Sequence, residues 1–189
     1  MSEKFDIDQN RLFGLLQDVL TQDATQLKLE ANGGNSILFV YPNEEDHLYV
    51  AEAKRRFRDK AIFVDVAQAL TDYQEEMGMD KFNRIAKRMG NNVYYRQLPD
   101  GNVAQDCFFN YLINVVKVAS SYNKPVFLIG TSAIANKGFS NINIMEHPTV
   151  KSSKQPLIYF YPSLQEGDKI YFLGDKNHVA SKYRCLVIK

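Results

Sequence analysis

The chain has 189 residues, a length that suits one domain and leaves little room for two. Forty-five per cent of residues are hydrophobic, with 12 Phe and 11 Tyr, which excludes a disordered chain and calls for an aromatic core. The net charge of +1 gives no general pull toward nucleic acid or membrane.

Asp8 is a candidate cap for a first helix, in which Leu12, Leu15 or Leu16, Val19 and Leu20 recur at helical spacing. Residues 21–35 are polar and end in Asn32-Gly33-Gly34-Asn35, a turn leading into a strand. That strand, Ser36 to Tyr41, is apolar at successive positions rather than alternating, as in a parallel sheet covered on both faces. Pro42 stops it, and Asn43 can cap a helix carrying Tyr49, Val50, Ala53 and Phe57 on one face. Ala61 to Val64 reads as a second strand. Asp65 then caps a helix with the stripe Val66, Leu70, Tyr73 and Met77.

Residues 81–88 read as a short basic helix or its remnant, and residues 93–96 are a candidate strand within a loop-rich stretch. Asn102 with Gln105 three residues on predicts the start of a helix lined by Phe108, Tyr111, Leu112, Val115, Ala119 and Tyr122. Val126 to Ile129 is a third buried strand, ended by Gly130. Residues 131–155 are polar and weakly patterned. Further strands follow at residues 156–162, 169–173 and 183–188. Strands alternating with helices predict a single α/β domain over 1–189. Its expected form is three layers around a mainly parallel sheet, a degenerate P-loop or Rossmann-like core with an antiparallel edge near the C-terminus.

Ligands of such sheets bind beyond the carboxyl ends of the strands. A phosphate site after the first strand needs glycines, free backbone amides and a lysine. Here stand Pro42, which has no amide proton, and the acids Glu44, Glu45 and Asp46. These acids complement a helix dipole, and a divalent cation is the alternative. Gly33-Gly34 precedes the strand and is a turn. After the third strand, Gly130, Thr131 and Ser132 are candidates for holding an anion or a ligand. Asp65 suits an N-cap better than a ribose contact without a glycine motif.

His47, His147 and His178 have no metal-ligand spacing, and Cys107 and Cys185 lie in apolar segments as expected of buried thiols. No catalytic motif, metal site or cofactor is predicted. Two basic clusters, Lys54 to Lys60 and Lys81 to Arg88, could track a nucleic acid, although a solvated helix face is the simpler reading. Met1 to Asp6 carries no apolar leader and no run reaches the roughly 18 residues of a membrane span, so a cytoplasmic protein is expected.

Several segments carry a family resemblance: Ile37-Leu38-Phe39-Val40-Tyr41-Pro42, Leu128-Ile129-Gly130-Thr131, Pro156 to Pro162 ending in Phe-Tyr-Pro, Tyr171-Phe172-Leu173-Gly174, and Tyr183-Arg184. With these the chain resembles BrxB, the small α/β component of bacterial BREX phage-defence loci, from about residue 10 onward. Ser163 departs from the glycine common there. The resemblance implies a non-enzymatic adaptor or scaffold of a phage-resistance complex. The expected partners are a PglZ-type alkaline-phosphatase-like protein and the BREX methyltransferase complex. Tyr161, Pro162, Tyr183 and Arg184 are the expected partner-facing residues. A nucleotide- or metal-binding protein, or a DNA-contacting subunit, is the alternative.

Overall fold

The computed structural model describes residues 3–22 and 24–189. In chain order the elements are α1 (Glu3–Thr21), α2 (Ala24–Glu30), β1 (Ser36–Pro42), α3 (Asp46–Phe57), β2 (Ile62–Asp65), α4 (Val66–Met77) and α5 (Met79–Met89). Then come α6 (Phe108–Ser120), β3 (Val126–Ile129), α7 (Asn141–Met145), α8 (Pro148–Lys151), β4 (Leu157–Glu166), β5 (Lys169–Phe172) and β6 (Leu186–Ile188).

The sheet runs β2-β3-β4-β1-β6, and every neighbouring pair along that path is parallel. β5 pairs antiparallel with the far end of β4. The antiparallel element and the C-terminal edge are therefore two different strands, because β6 forms the edge and runs parallel to β1.

The unbroken apolar strands are explained by helices on both faces. Alternate side chains Ile37, Phe39, Tyr41, Phe127, Ile158 and Phe160 pack against Phe13 and Leu16 of α1 and Tyr49 and Phe57 of α3. Leu38, Val40, Val64, Leu128, Tyr159 and Tyr161 point the other way, onto a larger cluster with Tyr73, Phe82, Phe108 and Leu112. Rings pair directly across strands, as with Phe39 and Phe160, whose centroids lie 5.0 Å apart.

Local capping follows the sequence in places. The Asp65 carboxylate accepts the amide protons of Ala67 and Gln68, as an N-cap should. Asn43 does not cap α3. The chain first takes a 3-10 turn over Asn43–Glu45, and α3 begins at Asp46. The Asn102 signature also fails to start a helix. Asp100 holds both the backbone and side-chain amides of Asn102 in a turn, and α6 starts only at Phe108. Residues 93–96 form no strand, because Tyr94 and Tyr95 turn inward onto Phe82, Phe109 and Phe139. The polar stretch after Thr21 holds the unforeseen α2, and the stretch after Thr131 holds α7 and α8.

Candidate functional site

Where β1 and β4 end side by side, an α/β sheet would offer its ligand crevice. Here the two strands stay in register to Pro42 opposite Ser163, and β4 then continues to Glu166 before folding back as β5. The crevice is filled by the chain itself. Tyr159, Tyr161 and Phe172 stack in sequence, with centroids 5.9 and 5.0 Å apart. The cleft they share with Ile134, Asn141 and His178 has no room for a water molecule. The Tyr159 hydroxyl is buried there and finds no hydrogen-bond partner among the described residues. Burial of both rings pushes the Tyr159 and Tyr161 hydroxyls well above the ordinary phenol range.

The flanking groups are committed to structure. At the end of β1 the Tyr41 hydroxyl donates to Asp46 Oδ1 at 2.6 Å. Beyond β3, Gly130 takes a left-handed φ of 63° directly against Asp65, and a Cβ there would lie 2.4 Å from Asp65 Oδ1. Thr131 is buried, and its hydroxyl donates to the Phe160 carbonyl at 2.6 Å. Of the three candidate ligand residues Thr131 is buried, Gly130 is half-buried and Ser132 is exposed. Among the described residues no group of three or more His, Cys, Asp or Glu side chains could hold a metal ion.

The four expected partner-facing residues do not form one surface. Tyr161 and Pro162 are buried midway along β4, beside the carboxyl end of β1. Tyr183 and Arg184 precede β6, at the opposite end of the sheet, where the Arg184 carbonyl rests on Gly34 just before β1. Arg184 reaches Glu146 at 3.7 Å and lies 5.2 Å from the Tyr183 ring centroid.

Tyr183 is 55% exposed and borders an open groove of about 400 Å³. Tyr95, Phe109, His147 and Pro148 are also in its wall, together with the polar Asn143 and the carboxylate Glu146. Phe109 meets the His147 ring edge-on at 5.9 Å. His147 Nδ1 accepts the Thr149 amide proton, and burial lowers the imidazole pKa, both of which favour the neutral ring. Glu146, at the rim, is engaged by Lys151 and Arg184. The groove is therefore largely aromatic, with the Glu146 carboxylate in its wall. The sequence singled out Tyr183 as partner-facing but not Tyr95, Phe109 or His147. They come from separate segments joined only by tertiary packing.

The two basic clusters lie on outward faces. Arg55 and Arg56 both bind Glu52, and the Arg55 bonds foremost hold that carboxyl down to about 2. Phe82 is buried while Lys81, Arg84, Lys87 and Arg88 are exposed on the far side of α5. Among the described residues no helix is long and apolar enough to cross a membrane.

No family model, curated protein or solved structure matches the chain. The BrxB resemblance is corrected accordingly, and the BREX, phage-resistance and antiviral-defence roles attached to it do not stand. The motifs that suggested it have packing explanations. Phe160 and Tyr161 fill opposite faces of the sheet, Pro162 pairs with Tyr41, and Arg184 makes the turn into β6 with a φ of 51°. The PglZ-type partner and the methyltransferase complex came with that resemblance alone.

Proposed function

We propose that the protein is a non-enzymatic interaction module that seats a partner protein in the groove ringed by Tyr95, Phe109 and Tyr183. The observation that carries this reading is the filled crevice. The place where α/β sheets take nucleotides or substrates is occupied by the chain's own Tyr159, Tyr161 and Phe172, with no space for water. A sheet without that crevice retains value as a rigid support for its outer surface. The Tyr183 groove supplies aromatic walls of the kind that anchor protein interfaces, with a polar rim at Glu146 and Arg184.

The test is affinity capture of the full chain from cells of its source, compared with the variant Tyr183→Asp. Tyr183 is exposed, so the variant should keep the wild-type circular dichroism spectrum. A stoichiometric partner that is captured by the wild type and lost with Tyr183→Asp supports the reading. A partner captured equally by both moves the interface away from the groove. Stabilisation by a nucleotide, with no partner captured, overturns the interaction reading altogether.

A further inference from the structure

We propose that the protein binds a small phosphate monoester in a groove at the amino end of the sheet, where Lys60 and Lys124 hold the phosphate. The groove has a volume of about 260 Å³. It lies among the last turns of α1 and α3 and the segments that lead into β2, β3 and β4. The crevice filled by Tyr161 and Phe172 is at the other end of the sheet. The Tyr183 groove shares no residue with this one, so the two proposals fail independently.

Arg56, Lys60 and Lys124 stand in the wall, and among the described residues no carboxylate does. Arg56 is already committed. It bonds to Glu52 and Asn10 and, in the last turn of α3, complements the helix dipole. Lys124 donates to the Asp59 carbonyl at 2.8 Å, which sets its ammonium beside the backbone of Lys60. The Lys60 ammonium makes no hydrogen bond or ion pair among the described residues, and Lys124 pairs with no carboxylate there. Two positive charges thus converge on one concave site without a counter-ion from the chain.

That charge matches a phosphate monoester, which carries about −1.5 to −2 at neutral pH and accepts hydrogen bonds at three oxygens. The side-chain amides of Gln17, Asn123 and Gln155 border the same groove, make no other hydrogen bond among the described residues, and add donors. Leu20, Phe57 and Pro125 supply an apolar wall for the body of the ester. The volume falls below the roughly 300–1,000 Å³ of drug-sized sites, so that body is short. A nucleic-acid backbone fits less well, because it needs cations in a track along the surface. Lys54 and Arg58 lie outside the groove, and Arg55 is paired with Glu52.

The test is titration of the full chain with phenyl phosphate, inorganic phosphate and phenol at constant ionic strength, read by backbone-amide NMR and by thermal unfolding. Phenyl phosphate should shift the amides of Phe57, Lys60 and Lys124 and raise the Tm. Inorganic phosphate should bind more weakly, and phenol should do neither. Lys60 is exposed, so Lys60→Ala should keep the native spectrum while weakening phenyl phosphate about tenfold, and Lys124→Ala should act likewise. Lys54→Ala, on the same helix but outside the groove, should change nothing. Stabilisation that Lys60→Ala removes belongs to this groove and leaves partner capture at Tyr183 unaffected. Unmoved amides overturn the proposal, as does a Lys54→Ala variant that weakens binding as much as Lys60→Ala. Phenyl phosphate bound no tighter than inorganic phosphate means an adventitious ion only, and also overturns it. An oligonucleotide that binds more tightly than phenyl phosphate, with both weakened by Lys54→Ala, assigns the face to nucleic acid and equally overturns the small-ligand site.

Discussion

Gly34 is pressed against the backbone of Arg184: a Cβ on Gly34 would lie 1.7 Å from the Arg184 carbonyl oxygen and 2.6 Å from its carbon. The contact joins the entrance of β1 to the entrance of β6, residues separated by most of the chain. Its neighbour Gly33 has a φ of 84° but open space around it. The two glycines therefore respond differently to alanine. Gly33→Ala meets only the left-handed backbone cost, about 1 kcal/mol. Gly34→Ala forces one main chain off the other and should cost about 3 kcal/mol or more. Equilibrium urea unfolding of the two variants checks this. Equal losses would mean that the β1–β6 entrance yields without cost.

Asn35, one residue on, is buried and sends its side-chain amide to three carbonyls: Val150 at 3.1 Å, Ser153 at 2.9 Å and Gln155 at 3.2 Å. It ties the segment before β4 to the start of β1. Asn35→Ala should cost about 1–3 kcal/mol by leaving those carbonyls without their donor. Asn35→Asp should be worse at neutral pH, because a carboxylate would face three carbonyl oxygens. Burial among acceptors raises that carboxyl's folded pKa above its unfolded value. The extra penalty is then absent in acid and grows as pH rises through the carboxylate range. Thermal unfolding of Asn35→Asp against Asn35→Ala across acid and neutral pH measures it.

How far the sequence carried these features depends on whether a residue's role is local. The strands were legible because runs such as Ser36 to Tyr41 are apolar at successive positions, which only a two-faced sheet explains. The Asp65 cap was legible because its partners are two and three residues away. Strand order was not, since β1 lies between β4 and β6 through pairings that leave no local trace. Nor was the helix start after Asn102, where Asp100 competes for the same amide. At the candidate site the missing phosphate loop was visible in Pro42 and the acids after it. The filling of the crevice by Phe172, and the meeting of Tyr95, Phe109 and Tyr183, depend on packing between distant segments.

Glu52 makes a pH-dependent contribution. Its bonds to Arg55 and Arg56 hold the carboxyl down to about 2, below its ordinary 4.5. A depressed carboxyl stabilises the fold above its unfolded pKa, and that contribution is lost as pH falls through the folded value. Arg55 is 70% exposed, so solvent screening limits the effect to about 0.5 kcal/mol. Glu52→Gln should lower stability by about that much at neutral pH and by less near pH 2, where the folded carboxyl is already partly protonated. Parallel urea titrations at the two pH values test the difference.

The two thiols should be inert in the folded protein. Cys107 and Cys185 are both buried, and burial together with nearby Glu146 pushes the Cys185 thiol up to about 11. The native chain should resist iodoacetamide at mildly alkaline pH, and both cysteines should alkylate once urea unfolds it. Mass spectrometry of the labelled protein reads the outcome. Rapid native labelling of Cys185 would reveal an opening of the segment before β6.

Tyr159 offers the most direct test of the filled crevice. Its ring is fully buried between β1 and β3, yet its hydroxyl finds no partner among the described residues. A buried hydroxyl without a partner carries a desolvation cost that an isosteric apolar group escapes. Tyr159→Phe keeps the ring packing and removes that cost, so it should raise stability by about 1 kcal/mol. Tyr161→Ala, by contrast, deletes a ring wedged between Tyr159 and Phe172 and should cost about 3–5 kcal/mol. Equilibrium unfolding of both variants is the measurement. If Tyr159→Phe destabilises the protein, the hydroxyl has a partner in solution, and the crevice admits a molecule after all.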